Sequence, residues 1–212
     1  MTPLPDPAPI RPRADGWRVF AALAGALLLM AAGVLAFEPG VEGVRLLIRL
    51  TARTSLVLFL AAFTASAAAA RWPAGPARWM LRRRRPLGLA FALSHAIHLA
   101  AIVAFARLDP PAYELATRMT SLVTGGLAYA FIAAMAATSS DAAVAWLGTR
   151  AWRRLHRVGA WYLWISFAVA FGKRLPQSPG YVAPLALLLL ALALRLWPRA
   201  GAKAGTRGAS LS

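Results

Sequence analysis

The chain has 212 residues, is 59% hydrophobic, has a mean hydropathy of +0.58 and carries a formal net charge of +17. No soluble domain of this size needs so much apolar surface, and the basic residues cluster between apolar runs, as positive-inside bias requires, so the charge does not imply nucleic acid. There is no cysteine, which excludes disulfides, thiolate metal centres, iron–sulfur clusters and thiol catalysis.

These properties predict an all-α, polytopic membrane protein with six spans. Residues 1–16 are Pro-rich, carry Arg11 and Arg13, and read as a disordered tail. Span 1 covers residues 17–37. Its Val34-Leu35-Ala36 faintly resembles a signal cleavage site, but the apolar run exceeds a signal's core. Residues 38–49 read as a short polar connection. Within and just after it, Glu38, Glu42, Arg45, Arg49 and Arg53 recur at helical spacing, either as an interfacial helix end with snorkelling arginines or as a docking patch. Span 2 covers residues 50–70, with small residues suited to close helix packing.

A loop over residues 71–85, with Pro73, Gly75, Pro76 and six arginines, leads into span 3. That segment, residues 82–107, opens on four arginines and continues through about twenty mostly apolar residues, enough to cross a bilayer. A loop with Asp109, Pro110, Pro111 and Glu114 precedes span 4 at residues 120–138. Residues 139–154 form a second basic loop, span 5 covers 155–171 and span 6 covers 181–197. The tail over 198–212 is small, basic and expected to be disordered. The six-helix unit therefore occupies residues 17–197.

Six spans put both termini on one side. Of the 24 Lys and Arg residues, Arg45, Arg49, Arg53, Arg107, Arg118, Lys173 and Arg174 fall on the opposite side, and the others on the side of the termini. The asymmetry places both termini in the cytoplasm of a bacterial inner membrane. Trp17, Trp72, Trp79, Trp152 and Trp197 lie near span ends, where interfacial aromatics concentrate.

Only three histidines are present, and two of them, His95 and His98, lie mid-way along span 3 on one helical face. Ionisable groups at that depth are costly and usually have a role. Imidazole ligates haem iron and metals and carries protons near neutral pH; the alternative is a hydrogen-bonded pair serving helix packing, with Ser94 beside it. His156 stands at the start of span 5 between Arg154 and Arg157, either as a ligand or as part of an interfacial basic cluster. Spans 3 and 5 run parallel, so depths compare directly. At about 1.5 Å per residue, His95 and His98 lie roughly 15 and 20 Å beyond Arg85, and His156 about 3 Å beyond Arg154. His98 and His156 are therefore not expected to share one iron. Gly159 and Ala160 leave room beside His156, for a flat macrocycle or for a close helix crossing.

The segments RRPLGLAFALSHAIHL, TSSDAAVAWLG and WRRLHRVGAWYLW resemble the ferric-reductase-like transmembrane domain, over roughly residues 45–195. That superfamily includes the haem-binding membrane subunit of the periplasmic methionine sulfoxide reductase system. The resemblance implies a six-helix bundle carrying electrons across the membrane through haem b, with His98 and His156 as axial ligands to haem iron and His95 as a further cofactor-binding candidate. It also implies quinone or a separate reductase as electron source, a periplasmic redox partner, and membrane lipid as surroundings. The alternative is a haem-free scaffold or partner-binding subunit on the same fold. The subunits resembled carry another histidine deeper in the fifth helix; here that stretch reads Ile165 to Phe171 and has none, with Val169 at about the depth of His98. No Gly-x-Gly-x-x-Gly is present, so nucleotide-dependent catalysis by the chain alone is not expected.

Overall fold

The computed structural model describes residues 14–197, which form helices and no strand. The tails expected over 1–16 and 198–212 lie outside the described residues, except that residues 14–16 already belong to the first helix. Nine α-helices follow in order among the described residues: α1 (Ala14–Phe37), α2 (Val41–Arg71), α3 (Gly75–Arg82), α4 (Arg84–Leu108), α5 (Pro110–Ala116), α6 (Met119–Ala137), α7 (Asp141–Leu147), α8 (Thr149–Gly172) and α9 (Val182–Leu196). The three inter-span loops read from the sequence therefore each contain a short helix, α3, α5 or α7.

Five helices are long and apolar enough to cross a membrane: Gly16–Phe37, Val41–Arg71, Arg84–Leu108, Met119–Ala137 and Pro179–Leu196. Their outward faces are apolar, as at Leu29, Phe37, Val123 and Leu190, which suits a lipid solvent and makes the chain an all-α polytopic membrane protein. The helix α8 is 24 residues long but is not among the five, because its first turns carry Arg150, Arg153, Arg154, His156 and Arg157.

Long helices that follow one another in the chain alternate in direction. Val44 and Leu47 near the start of α2 pack with Ala101 and Phe105 near the end of α4, so these two helices are antiparallel; theirs is the most extensive interface in the bundle. Small side chains permit that closeness. Ala65, Thr51 and Ser55 of α2 and Ala90 and Ser94 of α4 are fully buried. At the other end, Arg71 donates to the carbonyls of Leu194 and Trp197 at 2.8 and 2.7 Å, while Phe171 meets Tyr181. Thus α9 runs with α2, and α8 runs against both. Tyr162 of α8 donates to the Thr124 carbonyl of α6 at 2.8 Å, and Thr138 just past α6 meets His156, so α6 also opposes α8.

The helix α2 starts well before the span read from sequence. The polar stretch with Glu42, Arg45 and Arg49 is its first turns, and Arg45 pairs with Glu42 at 3.1 Å. Entry into α2 is tight, since a Cβ on Gly43 would lie on the Glu38 carbonyl. The core lies where α2, α4, α6, α8 and α9 meet. Leu56, Leu163 and Leu188 are almost wholly buried there around a column of Phe59, Phe63, Phe91, Phe167 and Phe171.

Candidate functional site

The Thr-Ser-Ser-Asp…Leu-Gly block delivers His156 to its place. Thr138 follows α6, the Ser140 side chain accepts from Ala143 N and caps α7, and Gly148 takes φ 79°, a left-handed geometry that favours glycine. The chain thereby turns back into α8. About two turns later His156 faces Thr138, with Nε2 3.2 Å from Oγ1. The Thr138 hydroxyl donates to the Ala134 carbonyl at 2.7 Å. When its proton is on that carbonyl, the hydroxyl accepts from the imidazole Nε2 and leaves Nδ1 as the lone-pair nitrogen of the neutral ring. Trp152 completes the setting. Its ring lies over His156 at 4.5 Å and its Nε1 donates to the Thr138 carbonyl at 3.0 Å. Trp152, expected among the interfacial aromatics, is thus turned inward onto the histidine.

His156 lines a cleft of about 1270 Å³, larger than the roughly 300–1,000 Å³ of ordinary small-ligand pockets. One wall is aromatic, from Phe59, Phe63 and Phe91; the other is Ile132, Met135 and Ala136; the rim carries Arg82, Arg83, Arg84 and Arg85. Asp141 at the mouth lies 3.8 Å from Arg85. The arginines are held by packing as much as by charge. Arg84 Nε donates to the Ala62 carbonyl at 3.1 Å, Arg83 stacks on Trp79 at 5.1 Å, and Arg85 approaches Trp17 at 6.0 Å. The Arg83 Nε is buried with no hydrogen-bond partner in the protein.

The space beside Gly159 and Ala160 divides. Gly159 is filled by α6, since a Cβ there would meet Met135 Sδ at 2.5 Å and Phe131 Cδ1 at 3.2 Å; it is a helix crossing. Ala160 instead lines the cleft.

His95 and His98 lie elsewhere. His98 Nδ1 is 2.9 Å from Thr51 Oγ1, about ten residues into α2, whereas His156 is held just past the end of α6. The two sites belong to opposite halves of the bundle, as the depth count expects. The His95 and His98 ring centroids are 5.5 Å apart. The His95 ring is enclosed by Phe91 at 5.0 Å, Tyr129 at 5.5 Å and Phe167 at 5.6 Å. Rings on one helical face cannot bind opposite faces of one macrocycle, and the packing around His95 leaves no slot for one. Val169, the position of the missing family histidine, is 48% exposed and points away; Phe167 takes the place facing His95.

The residues present thus fit haem differently at the two levels. At His156 they offer an imidazole, aromatic walls and an arginine rim for propionates. At His95 and His98 they offer hydrogen-bonding groups in a packed interior. Thr138, Met135 and Tyr129 were not singled out from the sequence, and Trp152 was read only as an interfacial aromatic; Thr138 was visible only as a letter of the Thr-Ser-Ser-Asp block. Among the described residues no group of three or more His, Cys, Asp or Glu side chains comes together. No family model matches the chain, and neither does a curated protein or a solved structure.

Proposed function

We propose that the chain is a six-span inner-membrane electron-transfer subunit that holds one b-type haem in the cleft beside His156. The carrying observation is that cleft, where an imidazole held by Thr138 faces aromatic walls under four arginines. His156 would hold the haem iron, and Arg82 to Arg85 would receive the propionate charge. Bound there, haem supplies a reversible one-electron centre. Thr138 orients the imidazole, Trp152 excludes water from one side of it, and Phe91 closes the cleft towards the bundle centre.

The sixth span in this reading is α8. It lies inside the bundle, with Phe167 against Phe59 and Phe91 and Trp164 Nε1 donating to the Leu188 carbonyl at 3.1 Å. Its arginines fall at the end that also holds Arg71, Arg82 to Arg85 and Arg195, and this positive-inside bias supports a cytoplasmic-side cleft and cytoplasmic termini. Electrons then enter from quinone or a separate reductase on the cytoplasmic side and leave towards a periplasmic redox partner.

The test is the reduced visible spectrum and haem content of the purified protein and its single-histidine variants. His156→Ala is expected to abolish bound haem and His98→Ala to retain it. Retention in His156→Ala overturns the assignment. No haem in the unaltered chain, with haem supplied in excess, favours the haem-free scaffold.

A further inference from the structure

A second polar cluster lies in the bundle interior, and the haem reading does not use it. From α2, Thr51, Thr54 and Ser55 face α4, where Ser94 accepts from Ser55 at 2.8 Å and lies 3.2 Å from the Thr54 hydroxyl. One turn on, His98 Nδ1 meets Thr51 at 2.9 Å. The Thr51 hydroxyl also lies 2.6 Å from the Leu47 carbonyl, which it can donate to while it accepts from His98. The His95 ring stands against that of His98. Thr51, Ser55 and Ser94 have no exposed surface.

The cluster ends in two orphans. His95 Nδ1 on α4 and the Tyr129 hydroxyl on α6 are both buried and have no hydrogen-bond partner in the protein. Their rings are 5.5 Å apart at 53°. One is an imidazole nitrogen and the other a phenol that can donate or accept, and both belong to the same α4–α6 contact. Buried polar groups left unpaired are rare, and two together call for a shared partner. Internal waters serve such places when two or more polar groups converge. Ionisable and hydroxyl side chains inside a membrane bundle also mark proton paths.

We infer that His95 and Tyr129 together bind an internal water in the α4–α6 contact, and that this water, with His95, His98 and Thr51, forms a proton-exchanging site. The groups facing it are Tyr129 from α6, Phe167 from α8, Thr51, Thr54 and Ser55 from α2, and Phe91, Ser94 and His98 from α4. Arg174, just beyond α8, is the charged group that acts on His98. None of these carries a negative charge, so the water and its protons are held by neutral donors and acceptors. Phe91, which touches His95 and lines the cleft, forms the dry boundary on the cytoplasmic side. The inference does not depend on haem at His156.

With only three histidines, the chain suits nitrogen-15 labelling of histidine and NMR of the full protein in lipid nanodiscs. The variants His95→Gln, His98→Gln and His156→Gln assign the three rings. The expected result is a cross-peak between the His95 ring and water, with a hydrogen-bonded Nδ1 shift. Tyr129→Phe is expected to slow that exchange at least several-fold and to leave the His156 ring unchanged. A His95 ring that shows no water exchange in the unaltered chain overturns the inference without any variant. So does unaltered exchange in a folded Tyr129→Phe protein. The His156 signals report separately on the haem site, so failure of one reading is not mistaken for failure of the other.

Discussion

Thr138 Oγ1 lies 3.2 Å from His156 Nε2 and 2.7 Å from the Ala134 carbonyl, so one hydroxyl ties the imidazole to the last turn of α6. Removing a group that orients a ligand from behind typically weakens metal affinity by about 10–100-fold. Thr138→Val is therefore expected to weaken haem retention within that range without unfolding the bundle. Thr138→Ser keeps the hydroxyl and is expected to restore it. A haem titration of the purified variants checks both.

Crossing by α8 has a direct readout. Reporter fusions at Gly40 and Gln177 are expected on the periplasmic side, and a fusion at Ala200 in the cytoplasm. If α8 lies along the membrane instead, the Gln177 fusion reports the cytoplasm and the one at Ala200 the periplasm.

Gly159 is where α6 and α8 cross. Gly159→Ala displaces Met135 Sδ, the end of a flexible side chain, and is expected to be mild. Gly159→Leu pushes against Met135 and Phe131 together, and overpacking of that kind costs about 1–3 kcal/mol. Thermal unfolding in detergent is expected to rank the unaltered chain above Gly159→Ala and Gly159→Leu last, with haem content falling in the same order.

Arg195 is the inward-turned charge of α9. Its guanidinium lies 4.1 Å from the Phe63 ring and 5.5 Å from that of Trp161, and it donates to the Phe63 carbonyl. A charge-assisted hydrogen bond contributes about 1.5–3 kcal/mol. Arg195→Met keeps much of the volume and is expected to destabilise the bundle by about that much in an unfolding titration. Arg195→Lys retains charge but not the planar stacking, and is expected to fall between the two.

The helices easiest to read from the sequence are those whose length and apolar content suffice by themselves, namely α1, α2, α4, α6 and α9. The first turns of α2 were read as a connection because Glu42, Arg45 and Arg49 are polar. Their helical spacing was the better guide, and it shows in the Arg45–Glu42 pair. The helix α8 is harder because its arginines lower its hydropathy just where it enters the bundle. The histidines were legible as rare ionisable groups among apolar neighbours, and their separation in depth follows from counting residues along parallel helices. What holds them was not legible. Thr138 meets His156 only because Gly148 turns the chain back, and Tyr129 meets His95 only because α6 packs on α4. The cleft itself is a property of how helices diverge, which no local pattern encodes.

Phe91 touches His95 on one side and the cleft on the other. A proton moves by exchanging hydrogen bonds, and a benzene ring has neither a strong donor nor a strong acceptor to lend. An electron tunnels and is not halted by the width of one ring. If the cleft takes electrons as proposed, this one side chain would pass them while keeping the protons of the His95 cluster apart from the cleft.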